Sequence, residues 1–167
     1  MVPPLRSEET RRSLLNSTLT GLPSIIASDH APHPIKEKDQ SPSSSPPGVP
    51  GLETTLPLML TLVNRQDMNL SLLVKLLSEN AARIFGLKSK AKLRRGADGD
   101  VVLIDLKKKA RIDSSKFFSK AKFSPFDGFK TQGAVHSTIV RGRVIYRERE
   151  IIAREGSGSV LRSRFSG

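Results

Sequence analysis

The sequence predicts an α/β protein in which a mainly helical first part is followed by a mainly β-structured second part. Leucines recur at helical spacing through residues 51–87, and β-branched runs bounded by turn residues begin at residue 101. Before them, a predicted helix and a turn lead into the short apolar run Ile25-Ile26-Ala27, which is typical of a buried strand. A helix followed by such a strand is one step of an α/β barrel or of an open α/β sheet.

The first helix is expected to begin after Ser7 and to end at Gly21. Ser7 can cap the free backbone N–H groups of the first turn, where Glu8 and Glu9 interact favourably with the helix dipole. Glycine commonly occupies the position that ends a helix. One apolar face of this helix is expected to consist of Leu14, Leu15 and Leu19.

A long irregular stretch separates this helix and strand from the next helices. Residues 34–50 contain five prolines and four serines, which predicts a mobile surface loop. Helical spacing then predicts one amphipathic helix over residues 51–64. A second helix, capped by Asn69 or Ser71 and extended to residue 85, is expected to be closed by Gly86. The leucine stripes of both helices are interpreted as core.

The second part of the chain is predicted to be β-structure. Residues 101–104 form one strand, and residues 138–140 and 144–146 flank Arg141-Gly142 as a β-hairpin. A turn-rich connection is expected at residues 123–128. The Gly/Ser/Arg-rich tail from Gly156 is expected to be disordered.

Groups capable of chemistry gather at the end of the predicted first strand. Asp29, His30 and His33 lie within five positions, and Pro32 prevents the strand from continuing. Active sites of α/β barrels and open α/β sheets lie at the carboxyl ends of their strands. A solvated Asp beside two surface histidines is the plain alternative, and the pattern alone does not decide between the two.

Four motifs give the chain a more specific signature. They are ASDHAPH at residues 27–33, PPGVPGLET at residues 46–54, NAARIFGL at residues 80–87 and GADGD at residues 96–100. Together they resemble dihydroorotase, a cyclic-amide hydrolase of the amidohydrolase superfamily. The likeness covers nearly the whole chain but matches only the carboxyl-terminal part of such an enzyme. Hydantoinase and allantoinase are related alternatives that the combination of motifs resembles less.

The resemblance implies a fold and a division into domains. Residues 1–95 would hold the last strand and helices of a TIM-type (β/α) barrel, residues 96–155 strands of a small β-sandwich, and residues 156–167 a disordered tail. One strand cannot close a barrel. We therefore expect an open sheet edge, unpartnered apolar helix faces and self-association.

The resemblance also implies a site. Asp29 matches a residue that is both a zinc ligand and the general acid/base in the reversible hydrolysis of dihydroorotate to N-carbamoyl-aspartate, a reaction of pyrimidine biosynthesis. His33 matches a residue that hydrogen-bonds the substrate, and Pro47 and Gly48 match a pair that contacts the substrate's ring. His30 is assigned a structural role, and His136 is interpreted as a surface histidine.

The zinc centre of the family is binuclear, and most of its ligands have no counterpart in this chain. The sequence has three histidines and no His-x-His pair, whereas a catalytic zinc normally needs about three protein ligands. In addition, Val2 stands where the family has an Asn that contacts substrate. We therefore expect the isolated chain to be inactive, with the missing ligands supplied by a companion chain or by a segment preceding Met1. The alternative is a non-catalytic dihydroorotase-like protein that supports a partner such as aspartate transcarbamoylase.

Composition and charge limit the kinds of site and the locations that the chain can have. The net charge is +12, and residues 101–167 carry fifteen basic and six acidic side chains, which places +9 of it there. Because these charges are spread through alternating, strand-like sequence, a solvated basic face is favoured over a nucleic-acid site. No cysteine is present, so disulfides and thiolate metal sites are excluded. No apolar run approaches the roughly 20 residues of a membrane span, and residues 1–6 do not resemble a signal peptide. A cytoplasmic location is expected.

Overall fold

A computed structural model of the chain describes residues 4–41 and 43–161 and confirms the helical first part and the β-structured second part. The helices are α1 (Glu8–Leu19), α2 (Ile35–Lys38), α3 (Thr55–Asn64), α4 (Leu70–Val74) and α5 (Asn80–Ile84), with a π-helical turn (Lys75–Glu79) between the last two. The strands are β1 (Val101–Arg111), β2 (Lys130–Val140), β3 (Arg143–Arg147) and β4 (Glu150–Ile151), and a 3-10 turn (Ser114–Lys116) follows β1. Val2 and residues 162–167 of the predicted tail lie outside the described residues.

The predicted helix boundaries are mostly confirmed by their caps. The Ser7 hydroxyl accepts a hydrogen bond from the Thr10 N–H at 3.3 Å, and the Asn69 side chain accepts one from the Leu72 N–H at 2.7 Å. Gly86 follows α5 with a φ of 64°, in the left-handed region that favours glycine. On α1, however, the predicted apolar face is only partly used, because Leu14 is exposed and only Leu15 packs on the core.

The predicted strand at residues 25–27 is wrong. The segment is extended, but it belongs to no sheet. The Ile26 N–H donates instead to the Leu76 carbonyl in the π-helical turn at 3.0 Å, and the Asn80 side chain donates to the Ser24 carbonyl at 2.8 Å. A strand needs a neighbouring strand to pair its backbone groups, and among the described residues this segment finds a helical segment instead. The partial barrel that the resemblance implies is therefore not visible as a sheet here.

Two further boundaries differ from the prediction. The loop over residues 34–50 contains the short helix α2, which the mixed composition concealed. Helix α3 begins at Thr55 rather than at residue 51. The Gly51 carbonyl accepts the N–H groups of both Thr54 and Thr55, so residues 51–54 form a turn that leads into the helix.

The core joins the helices to the first strand. Leu60 is fully buried, Met68 and Leu73 are almost so, and Ile104 and Leu106 of β1 pack against this cluster. The leucine stripes are thus core, as predicted, except for Leu52, which lies in the turn before α3 and is 66% exposed. Polar contacts add to the packing, because the Thr61 hydroxyl accepts the Gln132 N–H at 3.0 Å. Helix α3 is therefore held on β2 by apolar and polar contacts together.

The sheet is an antiparallel meander in the order β1-β2-β3-β4. The predicted hairpin is confirmed: Arg141 and Gly142 connect β2 to β3 with φ values of 50° and 75°, the conformation of a tight two-residue turn. Among the exposed large apolar side chains, Leu14, Val74 and Ile84 lie on helices, where unpartnered faces are expected. Others lie outside the helices, among them Leu5, Leu22, Leu93, Val102, Leu103 and Phe118. Among the helices of the described residues, none has the length and apolar content that crossing a membrane requires.

Helix α3 approaches β2 closely enough to require a glycine. A Cβ atom on Gly133 would lie 2.6 Å from the Leu60 Cβ, and Gly133 has a φ of 102°. Gly133→Ala is therefore expected to lower the free energy of unfolding by about 2 kcal/mol, measured by urea denaturation. Gly158→Ala is the matched control, because a Cβ there meets no atom within 4 Å. Equal stability of the two variants would contradict this packing.

The connector before the sheet is held by an ion cluster. Lys90 donates to Asp98 at 2.9 Å and also to Asp100, and Asp100 accepts the Arg141 N–H of the hairpin turn at 2.8 Å. The hydrogen bonds from Lys90, the largest cause, and from neighbouring groups hold the pKa of both carboxyls below the usual range. The cluster thus ties the connector to the hairpin.

This cluster predicts a pH dependence of stability. A carboxyl whose pKa is lower in the folded than in the unfolded chain stabilises the fold above the unfolded value, and that contribution is lost as the pH falls through the folded value. Asp100→Asn is expected to cost about 1–2 kcal/mol at pH 7. The difference from the unsubstituted chain should shrink below about pH 4. Thermal denaturation across pH 2.5 to 7 measures it, and a difference that does not vary with pH would contradict the assignment.

Candidate functional site

The site is built where two loop segments dock backbone to backbone. One is residues 28–33, which carry the predicted chemistry, and the other is residues 46–52, which lead into α3. The Ala31 N–H donates to the Val49 carbonyl at 3.1 Å, and His30 and Val49 form an isolated parallel bridge. The two motifs, apart in sequence, are thus brought together by main-chain contacts.

Two glycines make this close approach possible. Gly48 has a φ of 96°, and a Cβ there would lie 2.4 Å from the Ala31 Cβ. A Cβ on Gly51 would lie 2.5 Å from the Ser28 carbonyl oxygen. Both distances are far below van der Waals contact, so each position needs a residue without a side chain.

His30 completes the junction between the segments. Its Nδ1 lies 3.0 Å from the Gly51 N and 3.3 Å from the Leu52 N, and it accepts a hydrogen bond from both groups. These N–H groups precede the first turn of α3, so the imidazole plays the part of a capping side chain. The structural role predicted for His30 agrees with these contacts.

Asp29 lies at the turn between the segment's extended part and this junction. Its φ is 44°, in a left-handed region that is uncommon for residues other than glycine and most readily adopted by Asn and Asp. The residue is exposed. Among the residues that the structure describes, its carboxylate makes no hydrogen bond or ion pair, so both oxygens are available to a ligand.

His33 is oriented by a carboxylate on α2. Its Nδ1 lies 3.0 Å from Glu37 Oε2, and the His33 side chain is 35% exposed. A carboxylate accepts but does not donate, so this contact places a proton on Nδ1. The Nε2 atom is thereby left for an external group.

Helix α3 is also connected to the segment before β2 through Glu53. The Glu53 carboxylate accepts the N–H groups of Phe118 and Ser119, each at 3.0 Å. The Phe118 ring in turn packs edge-on against Tyr146 of β3, with ring centroids 6.3 Å apart. The turn after residue 51 therefore anchors both the site and part of the sheet.

The described residues do not form a metal centre by themselves. Zinc needs about three protein ligands, and within residues 4–41 and 43–161 no three His, Asp or Glu side chains converge. His30 Nδ1 and His33 Nδ1 are both engaged in the contacts given above. Of the residues that the resemblance implies as zinc ligands, Asp29 belongs to this chain, and it is exposed.

The four predicted site residues lie in the two docked segments. Asp29 and His33 belong to the first, and Pro47 and Gly48 belong to the second. His136 lies apart on β2, exposed, with its Nδ1 2.8 Å from the Ser137 hydroxyl. Sequence reasoning overlooked Glu37, Lys38 and Glu53. The four-residue spacing of His33 and Glu37 was the available signal, since such pairs face each other on a helix.

The family to which the chain belongs follows from a comparison with known protein families. A family model described as "Amidohydrolase family" matches residues 4–145. The chain therefore belongs to the amidohydrolase family, which confirms the superfamily that the four motifs indicated.

The chain is similar to proteins named dihydroorotase and to solved structures of hydantoinases. The chain is similar to a protein named dihydroorotase from Methanothermobacter thermautotrophicus, at 44% identity over 165 residues, which are 99% of this chain and 37% of that protein. Among solved structures it is similar to the L-hydantoinase (dihydropyrimidinase) from Arthrobacter aurescens, with a TM-score of 0.86, 37% identity and coverage of 90% of this chain and 35% of that one. It is also similar to a D-hydantoinase from Thermus sp., with a TM-score of 0.90, 27% identity and coverage of 98% and 37%. The chain thus spans little more than a third of the relatives it matches.

The contacts of His30 lead to a testable prediction. His30→Ala removes the acceptor of two N–H groups at the start of α3 and is expected to cost about 1–3 kcal/mol of unfolding free energy. Amide exchange at Gly51 should accelerate as well, measured by hydrogen–deuterium exchange. His136→Ala is the control, since that ring is half exposed. Unchanged exchange at Gly51 would show that His30 does not hold the junction.

Proposed function

We propose that the chain is the carboxyl-terminal part of a cyclic amidohydrolase of the dihydroorotase type. The observation that carries this proposal is the docking of residues 28–33 on residues 46–52, which gathers Asp29, His33, Pro47 and Gly48 at one place. The 44% identity to a dihydroorotase supports the choice of branch. The proposed reaction adds water to a ring amide carbonyl of dihydroorotate, breaks its bond to nitrogen and gives N-carbamoyl-aspartate, in pyrimidine biosynthesis in the cytoplasm.

In this proposal Asp29 transfers the proton that the reaction requires. Water loses a proton as it adds to the carbonyl carbon, and the ring nitrogen gains one as it leaves. A carboxylate beside both groups can accept the first proton and deliver it to the second. The exposed, uncommitted Asp29 carboxylate is suited to this role.

His33 and the Pro47–Gly48 pair are proposed to bind the substrate. With Nδ1 donating to Glu37, Nε2 of the neutral His33 ring is an acceptor, and it can take a hydrogen bond from a ring N–H of dihydroorotate. In this proposal Gly48 contacts the substrate through its main-chain groups, because the position of its missing side chain faces Ala31.

Zinc is proposed as the cofactor of the complete enzyme, with Asp29 as one ligand. Bound zinc supplies Lewis acidity and lowers the pKa of a bound water. The other ligands are proposed to come from outside this chain, either from a companion chain or from a further segment of the same protein. By the same reasoning, residues 4–95 are proposed to complete a (β/α) barrel and residues 96–155 a β-sandwich.

A hydantoinase or dihydropyrimidinase activity is the second candidate. The structural similarity to the L-hydantoinase, at a TM-score of 0.86 and 37% identity, favours it. Both candidates hydrolyse a cyclic amide, so they differ in substrate rather than in reaction class. A carboxylate on the ring distinguishes dihydroorotate from dihydrouracil and from simple hydantoins.

A chimera tests the proposal. The 165 residues of the Methanothermobacter dihydroorotase that match this chain are replaced by the chain itself. With zinc supplied, the chimera is expected to hydrolyse dihydroorotate, and Asp29→Asn within it is expected to lose at least about 100-fold in kcat because a proton-transfer group is removed. The isolated chain is expected to show no turnover. Product formation is followed by the loss of absorbance of the ring amide.

The control in this experiment is Asp39→Asn, an exposed carboxylate at the end of α2. Its kcat should stay within about twofold of the unsubstituted chimera. Turnover of dihydrouracil in preference to dihydroorotate would favour the second candidate. A folded but inactive chimera would contradict both, and would favour a non-catalytic role beside a partner enzyme such as aspartate transcarbamoylase.

A further inference from the structure

Lys38 joins the two ends of the irregular loop. It is the last residue of α2, and its Nζ donates to the Pro46 carbonyl at 2.5 Å and to the Gly48 carbonyl at 2.6 Å. The side chain is half-buried, and Nζ lies 6.0 Å from the centroid of the Phe123 ring. A lysine with two main-chain acceptors and an aromatic neighbour is held more firmly than a solvated surface lysine.

The two acceptors lie on either side of Pro47. Lys38 therefore binds the carbonyl of Pro46 and the carbonyl of Gly48. It does not bind the Pro47–Gly48 peptide that lies between them. The Ser45 hydroxyl donates back to the Lys38 carbonyl at 3.1 Å, which closes the loop a second time. Lys38 and Ser45 thus hold residues 46–48 beside α2.

The positive charge of Lys38 also affects how the segment interacts with an anionic ligand. Main-chain carbonyl oxygens carry partial negative charge and repel an anionic ligand, whereas N–H groups attract one. Lys38 occupies two carbonyls of the segment with its own donors. The Gly48 N–H belongs to the peptide that Lys38 leaves unengaged, and it is the kind of group from which an anion accepts a hydrogen bond.

Glu37 and Lys38 are adjacent on the same turn of α2. Glu37 contacts His33 of the first segment, and Lys38 contacts Pro46 and Gly48 of the second. One short helix thereby sets the position of both groups that the proposed function assigns to substrate binding.

We propose that Lys38 is a positioning residue, which holds the Pro47–Gly48 peptide in the conformation that binds the anionic substrate. This inference rests on the proposed function, and it assigns to Lys38 an effect on substrate binding rather than on proton transfer. Binding that is equal in the ground state and the transition state affects KM and leaves kcat unchanged. A merely structural lysine would instead reduce the amount of folded enzyme and lower the apparent kcat at constant KM.

The test uses Lys38→Met, Lys38→Arg and Lys36→Met in the active chimera. Lys38→Met is expected to raise KM for dihydroorotate about tenfold with kcat within about twofold, because two charge-assisted hydrogen bonds are lost. Lys38→Arg retains a cation with several donors and should restore KM to within about threefold of the original. Lys36→Met, an exposed lysine on the same turn, should leave both constants unchanged.

A second measurement uses the 167-residue chain itself. Amide exchange at Ala31, whose N–H bonds to the Val49 carbonyl, is expected to accelerate in Lys38→Met and not in Lys36→Met. An active chimera whose KM is insensitive to Lys38→Met would overturn this inference alone. An inactive chimera with the unsubstituted chain would overturn the proposed function and this inference with it. A KM effect that Lys38→Arg does not rescue would also overturn it.

Discussion

The main-chain contact between residues 28–31 and 48–51 is the constraint on which the rest of the site depends. Two glycines allow it, since any side chain at Gly48 or Gly51 would overlap the opposite segment. The contact places Asp29 at a turn where it adopts a positive φ with its carboxylate exposed. Asp29, whose φ of 44° is uncommon for a residue other than glycine, therefore lies beside the closest approach of the two segments.

Helix α3 connects the two docked segments to the sheet. His30 binds the N–H groups of Gly51 and Leu52 ahead of the helix, and Glu53 binds the main chain of residues 118–119. At the other end of the helix, the Asn64 side chain donates to the Gln132 main-chain carbonyl and accepts from the Gln132 side chain, each at 3.1 Å. The helix is therefore fixed to the site at its start and to β2 at its end. A substitution at the contact between α3 and β2 should therefore shift the site even though it changes none of the site residues.

Local signals in the sequence were sufficient for much of the fold. The caps Ser7 and Asn69, the stop at Gly86 and the Arg141-Gly142 hairpin are each encoded within a few residues. The strand predicted at residues 25–27 failed because strand pairing depends on a distant partner, which no local pattern reports. The π-helical turn was equally hidden, since its leucine spacing is compatible with an ordinary helix.

Part of the candidate site could likewise be predicted from the sequence, and part could not. The residues capable of chemistry could be predicted because ASDHAPH and PPGVPGLET are unusual motifs. That the two motifs dock on each other could not be predicted from either motif alone. Lys38 went unnoticed because a lysine in a proline-rich loop is normally solvated, and only the folded loop places Pro46 and Gly48 within its reach.

The interactions that shape this site differ from those that would fill it. Main-chain hydrogen bonds, two glycines and His30 hold the two segments, and all of these groups belong to this chain. Metal ligation, by contrast, finds no group of three His, Asp or Glu side chains that converge among the described residues. The contacts of the junction involve only groups of this chain, and they set the main-chain position of Asp29 beside the junction. The shape of the junction is therefore encoded in residues 28–33 and 46–52 themselves, because two glycines and His30 supply what the close approach of the two segments requires.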